Sequence, residues 1–111
     1  MLTSREIESL VRRIVQRLRP RKVIMFGSYA KGTATARSDL DIFVMKDTDL
    51  PMGSRGQALG ALLAAQLIPV DVHIYTLEEV EEYAKEPFSF VSSILSTGRV
   101  VYDELGDWSP P

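Results

Sequence analysis

Ile7, Leu10, Val11, Ile14 and Leu18 fall on one side of a 3.6-residue period, with arginines on the other side. This pattern predicts a helix over 4–18. Thr3 and Glu6 stand at capping-box spacing to open it, and Pro20 ends it. The period then changes. KVIMF (22–26) is a short apolar run that stops at Gly27 and predicts a buried strand. DLDIFVM (39–45) predicts a second strand, with Leu40, Ile42 and Val44 turned to the core and Asp39 and Asp41 to the opposite face.

LPMG (50–53) breaks the chain, and Ser54 is placed to cap an Ala- and Leu-rich helix over 55–67. After Pro69, VDVHIY (70–75) predicts a third strand. Thr76 and Glu79 repeat the capping-box spacing for a helix over 77–85. Pro87 opens a short helix through Leu95, Gly98 has C-cap character, and RVVY (99–102) predicts the last strand. The tail DELGDWSPP (103–111), which holds Trp108, reads as loop.

Helices alternating with short strands define an α/β (α+β) fold, a small mixed β-sheet covered by helices. The helical segment between the second and third strands permits those two to run parallel. The short Gly-rich turn between the first and second leaves their relative direction open.

Composition adds bounds. A chain of 111 residues is expected to form one domain over 1–111, with a motif region at 23–75 and the tail at 103–111. With no cysteine there is neither a disulfide framework nor a thiolate metal site. Apolar runs fall short of the roughly 18 residues a membrane span requires. Polar SREIE stands where a signal peptide would carry its apolar stretch, so a cytoplasmic protein without membrane attachment is expected. Seven of the 13 basic residues lie within the first 22, and eight of the 15 acidic residues lie from Glu78 onward. These read as two solvated helix faces. Without interleaved aromatics, the basic flank does not resemble a nucleic-acid-binding stripe, and no direct nucleic-acid binding is expected.

The chemistry concentrates in GSYAKGTATARSDLDIFV (27–44). Asp39 and Asp41, two residues apart on a strand, project together, and their like charges repel unless a cation lies between them. A hard divalent ion with oxygen ligands removes that cost. Asp71, an acid inside an apolar strand, is expensive to bury unpartnered. If the third strand lies beside the second, three carboxylates converge, a set that can hold two magnesium ions for phosphoryl or nucleotidyl transfer. Gly27 permits close approach of backbone to a phosphate, Ser28 adds a hydroxyl, and Gly32 can end a short helical turn in a left-handed conformation. The turn is not a Walker loop, because no G-x4-G-K-[ST] occurs. His73 shares the Asp71 face of a regular strand, and Tyr29 is expected to pack beneath the turn.

A hydrophobic strand, Gly27-Ser28, ten intervening residues, Asp39-Leu40-Asp41 and a later Val70-Asp71-Val72 together resemble the nucleotidyltransferase superfamily of DNA polymerase beta and the kanamycin-type adenylyltransferases. The stretch 27–44 is most similar to the minimal nucleotidyltransferases, and the resemblance covers residues 5–102. It implies that Gly27 and Ser28 hold the outer phosphates of a nucleoside triphosphate, ATP above all. It also implies that Asp39, Asp41 and Asp71 are catalytic and ligate Mg2+, with Asp71 helping to deprotonate the attacking hydroxyl. Lys31, where the family often has Arg, and Ser38 complete the implied nucleotide-binding set. Thr33 stands where an acidic residue is frequent.

The resemblance further implies a separate helical partner of the HEPN class, often an RNase toxin that the nucleotidyltransferase neutralises by adding AMP to a tyrosine. This chain lacks the R-x(4–6)-H signature of such toxins, since His73 is its only histidine and positions 66 to 68 are Gln, Leu and Ile. Three functions follow as alternatives: an adenylyltransferase acting on a partner protein, a module that neutralises its partner by contact alone, or an adenylyltransferase for small molecules. Intact Ser28, Asp39, Asp41 and Asp71 favour the first. The small-molecule reading lacks an acceptor domain.

Overall fold

The Thr3 hydroxyl accepts from the Glu6 N–H at 3.1 Å, and the Glu6 carboxylate accepts from the Thr3 N–H at 3.0 Å, so the expected capping box opens α1 (Ser4–Leu18). The computed structural model describes residues 1–106. The expected loop beyond Gly106, Trp108 included, lies outside the described residues. α1 buries Ile7, Leu10, Val11, Ile14 and Leu18, the predicted stripe, and ends at Arg19 in a left-handed conformation (φ 47°) just before Pro20.

Four strands follow: β1 (Lys22–Phe26), β2 (Leu40–Met45), β3 (Val70–Tyr75) and β4 (Arg99–Asp103). They form one mixed sheet in the order β3-β2-β1-β4. β2 is parallel to β3 and antiparallel to β1, and β4 is antiparallel to β1. The sheet with its helices is the mixed α+β architecture read from the sequence.

Both faces of β2 are covered, as befits an inner strand. Leu40, Ile42 and Val44 pack with the α1 stripe, Leu59, Leu62 and Val101. On the other face, Phe43 and Met45 pack with Ile24, Val80, Val91 and Ile94. Only Asp41 interrupts the burial of β2. The helices over this second face are α4 (Leu77–Tyr83) and α5 (Phe90–Thr97). The Thr76–Glu79 capping box is present, with bonds of 3.1 and 2.9 Å.

Three expectations need correction. In place of one helix over 55–67 there are two 3-10 turns, Met52–Ser54 and Gln57–Leu59, and a short α3 (Gly60–Ala64). Gly53, Gly56 and Gly60 weaken any continuous helix here. Arg55, moreover, is drawn inward: its Nε donates to the Leu50 carbonyl (2.9 Å), and its Nη1 to the Ile74 carbonyl (3.1 Å) and to Glu79 Oε1 (2.6 Å). α4 stops at Tyr83, short of residue 85. α5 starts at Phe90 and not at Pro87, because the Ser89 hydroxyl accepts from the Ser92 N–H (3.0 Å) and fixes the helix start there.

Candidate active site

β1 ends at Phe26, and Gly27 turns the chain into α2 (Ser28–Lys31) with φ 74° and ψ −154°, a conformation open to glycine and strained for other residues. A Cβ on residue 27 would overlap Asp41 Oδ2 and approach Asp41 Cγ to 3.3 Å. The backbone of the turn thus lies directly against this carboxylate. Gly32 closes α2 in the expected left-handed conformation (φ 72°). Tyr29 packs against the core, and its hydroxyl accepts from the Leu2 N–H at 3.0 Å, so it anchors the turn from below.

Asp41 and Asp71 are register partners on β2 and β3, strands that lie about 4.8 Å apart in any sheet. Register partners in a parallel pair share a face, so the parallel pairing brings together two acids far apart in sequence. Asp39 lies two residues before Asp41, at the mouth of β2, where the Leu40 N–H still reaches the Pro69 carbonyl (3.1 Å). Asp39 and Asp71 are exposed, and Asp41 is half-buried. Burial pushes the Asp41 carboxyl above the ordinary carboxylate value. Asp71 pushes the same way, His73 opposes, and Asp39 adds a smaller upward push.

All three side chains offer hard oxygen donors, the chemistry magnesium selects. Among the described residues, however, no three acidic, histidine or cysteine side chains are already gathered as a metal cage. The repulsion felt by Asp41 from Asp71 and Asp39 is the interaction a bound cation would reverse.

The remaining sequence candidates are placed less centrally. Lys31 is exposed at the end of α2. Ser38 is engaged in a local turn, its hydroxyl accepting from the Thr35 N–H (2.8 Å). Thr33 donates its N–H to the Ser28 carbonyl (2.9 Å) and closes the α2 turn.

Sequence reasoning did not find Phe26 and Phe90, whose rings meet His73 beside the carboxylates. The only signal was the aromatic pair of the PFSF run (87–90), which periodicity alone assigns to helix packing.

A glycine turn against a carboxylate, a second carboxylate in register beside it and a four-stranded mixed sheet define a nucleotidyltransferase-type fold. The nucleotidyltransferase domain family matches residues 7–101, and the chain belongs to that family. A protein of Methanocaldococcus jannaschii named "Putative protein adenylyltransferase" is 36% identical over 86 residues, 76% of this chain and 80% of that one. Among solved structures, a Sulfolobus solfataricus chain described as a "putative nucleotidyltransferase" superposes with a TM-score of 0.64 at 15% identity, over 95% of this chain and 87% of that one. A chain of a toxin–antitoxin complex with AMP-PNP gives 0.59 at 21% identity, over 86% and 73%. A chain of a mutant MntA–HpeT toxin–antitoxin pair gives 0.55 at 22%, over 93% and 74%. These three likenesses establish the shared fold. Among the described residues no helix is long and apolar enough to cross a membrane.

Proposed function

We propose that this nucleotidyltransferase moves AMP from ATP to a hydroxyl of a partner protein, with Asp39, Asp41 and Asp71 as the acidic centre. The observation that carries the reading is the seating of Asp41 beneath Gly27 with Asp71 in register beside it. That seating supports a single site in which the turn would admit phosphate oxygens and the acids would gather cations around them. The relative named as a protein adenylyltransferase supports protein as the acceptor. The likeness to toxin–antitoxin chains, one with AMP-PNP, supports an adenine nucleotide and a toxin partner; the helical HEPN kind of that partner is what the sequence resemblance implies. A cytoplasmic setting goes with such a partner.

In this reading Gly27 lets the backbone approach the outer phosphates, and the Ser28 hydroxyl and Lys31 donate to them. Ser38 belongs to the nucleotide side through its hydroxyl hydrogen. The acceptor oxygen attacks the α-phosphorus, the bond to pyrophosphate breaks, and Asp71 takes the acceptor's proton. A tyrosine hydroxyl, with a free pKa near 10, needs such a base at neutral pH. Magnesium, when bound by the three aspartates, supplies charge neutralisation for the attacking and leaving oxygens. Asp39 and Asp71 are exposed, so the acceptor is reached from outside the domain, as suits a residue on another chain.

Intact mass spectrometry of a co-expressed partner, after incubation with ATP and magnesium, tests this. Whole AMP units added to the partner by the wild type and not by Asp71→Asn support it. Neutralisation of the partner with no added mass would favour contact alone.

A further inference from the structure

β3 lies at one edge of the sheet. In its parallel pair with β2, the Pro69 and Tyr75 carbonyls accept from the Leu40 and Lys46 N–H groups at 3.1 and 2.9 Å. Bonding alternates along such a strand, so residues 69, 71, 73 and 75 turn their backbone groups to β2. Val70, Val72 and Ile74 turn theirs to the outer edge. The Ile74 carbonyl is met there by Arg55 Nη1 at 3.1 Å. Among the described residues, no hydrogen bond reaches the outward N–H or carbonyl of Val70 or Val72. The edge is thus closed at its Ile74 end and open at its Asp71 end, beside the acids.

A row of unpaired donors and acceptors at strand spacing is a template for one more strand. A second copy of this chain fits it badly. A two-fold β3–β3 pair centred on Val72 needs the Ile74 carbonyl, which Arg55 occupies. A pair centred on Asp71 sets that carboxylate against its own copy, and like charges directly opposite destabilise a strand pair.

We propose that the outer edge of β3 at Val70–Val72 is the docking site for an extended segment of the partner polypeptide, which pairs there as a fifth strand and presents its acceptor hydroxyl to Asp71. This rests on the nucleotidyl-transfer reading above. Side chains directly opposite on neighbouring strands have Cβ atoms about 4.5–5.5 Å apart, so a hydroxyl side chain opposite Asp71 comes within reach of its carboxylate. Its proton passes to Asp71 as its oxygen bonds the α-phosphorus and pyrophosphate leaves. The order across the sheet then follows the reaction: the Gly27 turn after β1, Asp41 on β2, Asp71 on β3 and the acceptor on the added strand. Residues flanking the acceptor turn to the other face, where Val70 and Val72 are half-buried against the core, and apolar side chains there extend it. The segment that fits is apolar, hydroxyl, apolar, with no acid at its centre.

The isotope-labelled full chain in metal-free buffer is titrated with acetyl-Lys-Val-Thr-Val-Lys-amide, and amide hydrogen exchange along β3 is followed by NMR. The Val70 and Val72 amides are expected to slow saturably, while those of Asp71 and His73, already bonded to β2, change little. The same peptide with aspartate for threonine should bind about threefold more weakly. Val72→Pro removes an outward N–H and keeps the β2 ladder, and should weaken the threonine peptide about tenfold or more. Its affinity for ATP with magnesium should stay within about twofold of the wild type. Val72→Thr, which keeps the N–H, should bind the peptide like the wild type.

Exchange at Val70 and Val72 that no peptide slows overturns the proposal, as does equal peptide binding by the wild type and Val72→Pro. Protection that needs no peptide and rises with protein concentration assigns the edge to a second copy and overturns it too. With ATP and magnesium added, AMP transfer to the peptide that survives Val72→Pro removes the docking edge and keeps the transfer reading. Protected amides with no AMP on the threonine peptide or its tyrosine counterpart remove the transfer reading instead and keep the edge as a docking site.

Discussion

The Asp41 carboxylate occupies the space that a side chain on residue 27 would need. Gly27→Ala is therefore expected to fail twice. Its φ of 74° with ψ −154° is a conformation essentially reserved for glycine, costing another residue roughly 1–3 kcal/mol, and the new methyl must displace Asp41. Gly32→Ala is the control, with a φ of 72° and nothing within 4 Å of its Cβ. Both variants should melt lower, by about 4–8 °C per kcal/mol for a domain this size. Only Gly27→Ala should weaken magnesium-dependent ATP binding, by about tenfold or more, as read by calorimetry.

Asp41→Asn should stabilise the protein at neutral pH in metal-free buffer. The folded pKa of Asp41 lies above its unfolded value, so the folded state binds this proton more tightly than the unfolded chain does. Its ionised form penalises the fold above the folded pKa, and the penalty fades as pH falls towards the unfolded value. The wild-type-minus-variant difference in melting temperature should thus be most negative at neutral pH and shrink in acid. Added magnesium should raise the wild-type melting temperature more than that of the variant. Equal curves would remove the charge crowding argued for this site.

Asp71→Asn should fold normally and transfer nothing. Asp71 is exposed, and the change is nearly isosteric, so the packing of Val70 and Val72 survives. Asp39→Asn and Asp41→Asn should be inactive as well, and double variants no worse than single ones, because the three act as a unit. Circular dichroism melts and single-turnover AMP transfer across the set measure both properties. Near-wild-type transfer by Asp71→Asn would place it outside the site.

Arg55→Ala should lower stability by about 2 kcal/mol, the scale of a charge-assisted, mostly buried pair. The Arg55 side chain is 9% exposed and grips both Glu79 carboxylate oxygens, at 2.6 and 3.1 Å. The Arg55 hydrogen bonds hold the Glu79 carboxyl below the usual range. A depressed acid contributes its stability above the unfolded pKa and loses it as pH falls through the folded one. Urea melts should therefore show the wild type and Arg55→Ala converging in acid. Transfer should persist, because the clamp joins the 52–59 segment to α4 and touches none of the three aspartates.

Much was legible wherever a rule acts over a few residues. The two capping boxes need only a threonine and a glutamate three positions apart. The β2 face pattern needs only alternation, and Leu40, Ile42 and Val44 point into the core as read. The same local logic misjudged 55–67, because Arg55 answers to Ile74 and Glu79, partners 19 and 24 positions away, and not to its helical neighbours.

By itself the sequence determined the first helix, the four strands, their apolar faces and the Gly27-Ser28, Asp39-Asp41 and Asp71 candidates, but not the 50–67 segment. Each of these follows from residue type at short spacing. Only the tertiary structure decided that β1 runs antiparallel to β2, that Asp71 lies in register with Asp41, and that Phe26, His73 and Phe90 meet. Strand direction and register are set by which chain segments bury each other best. A one-residue slip of β3 would turn Asp71 to the opposite face, and the burial of Ile74 on the α1 side holds it in place. That choice is made across dozens of residues at once, so no local spacing records it.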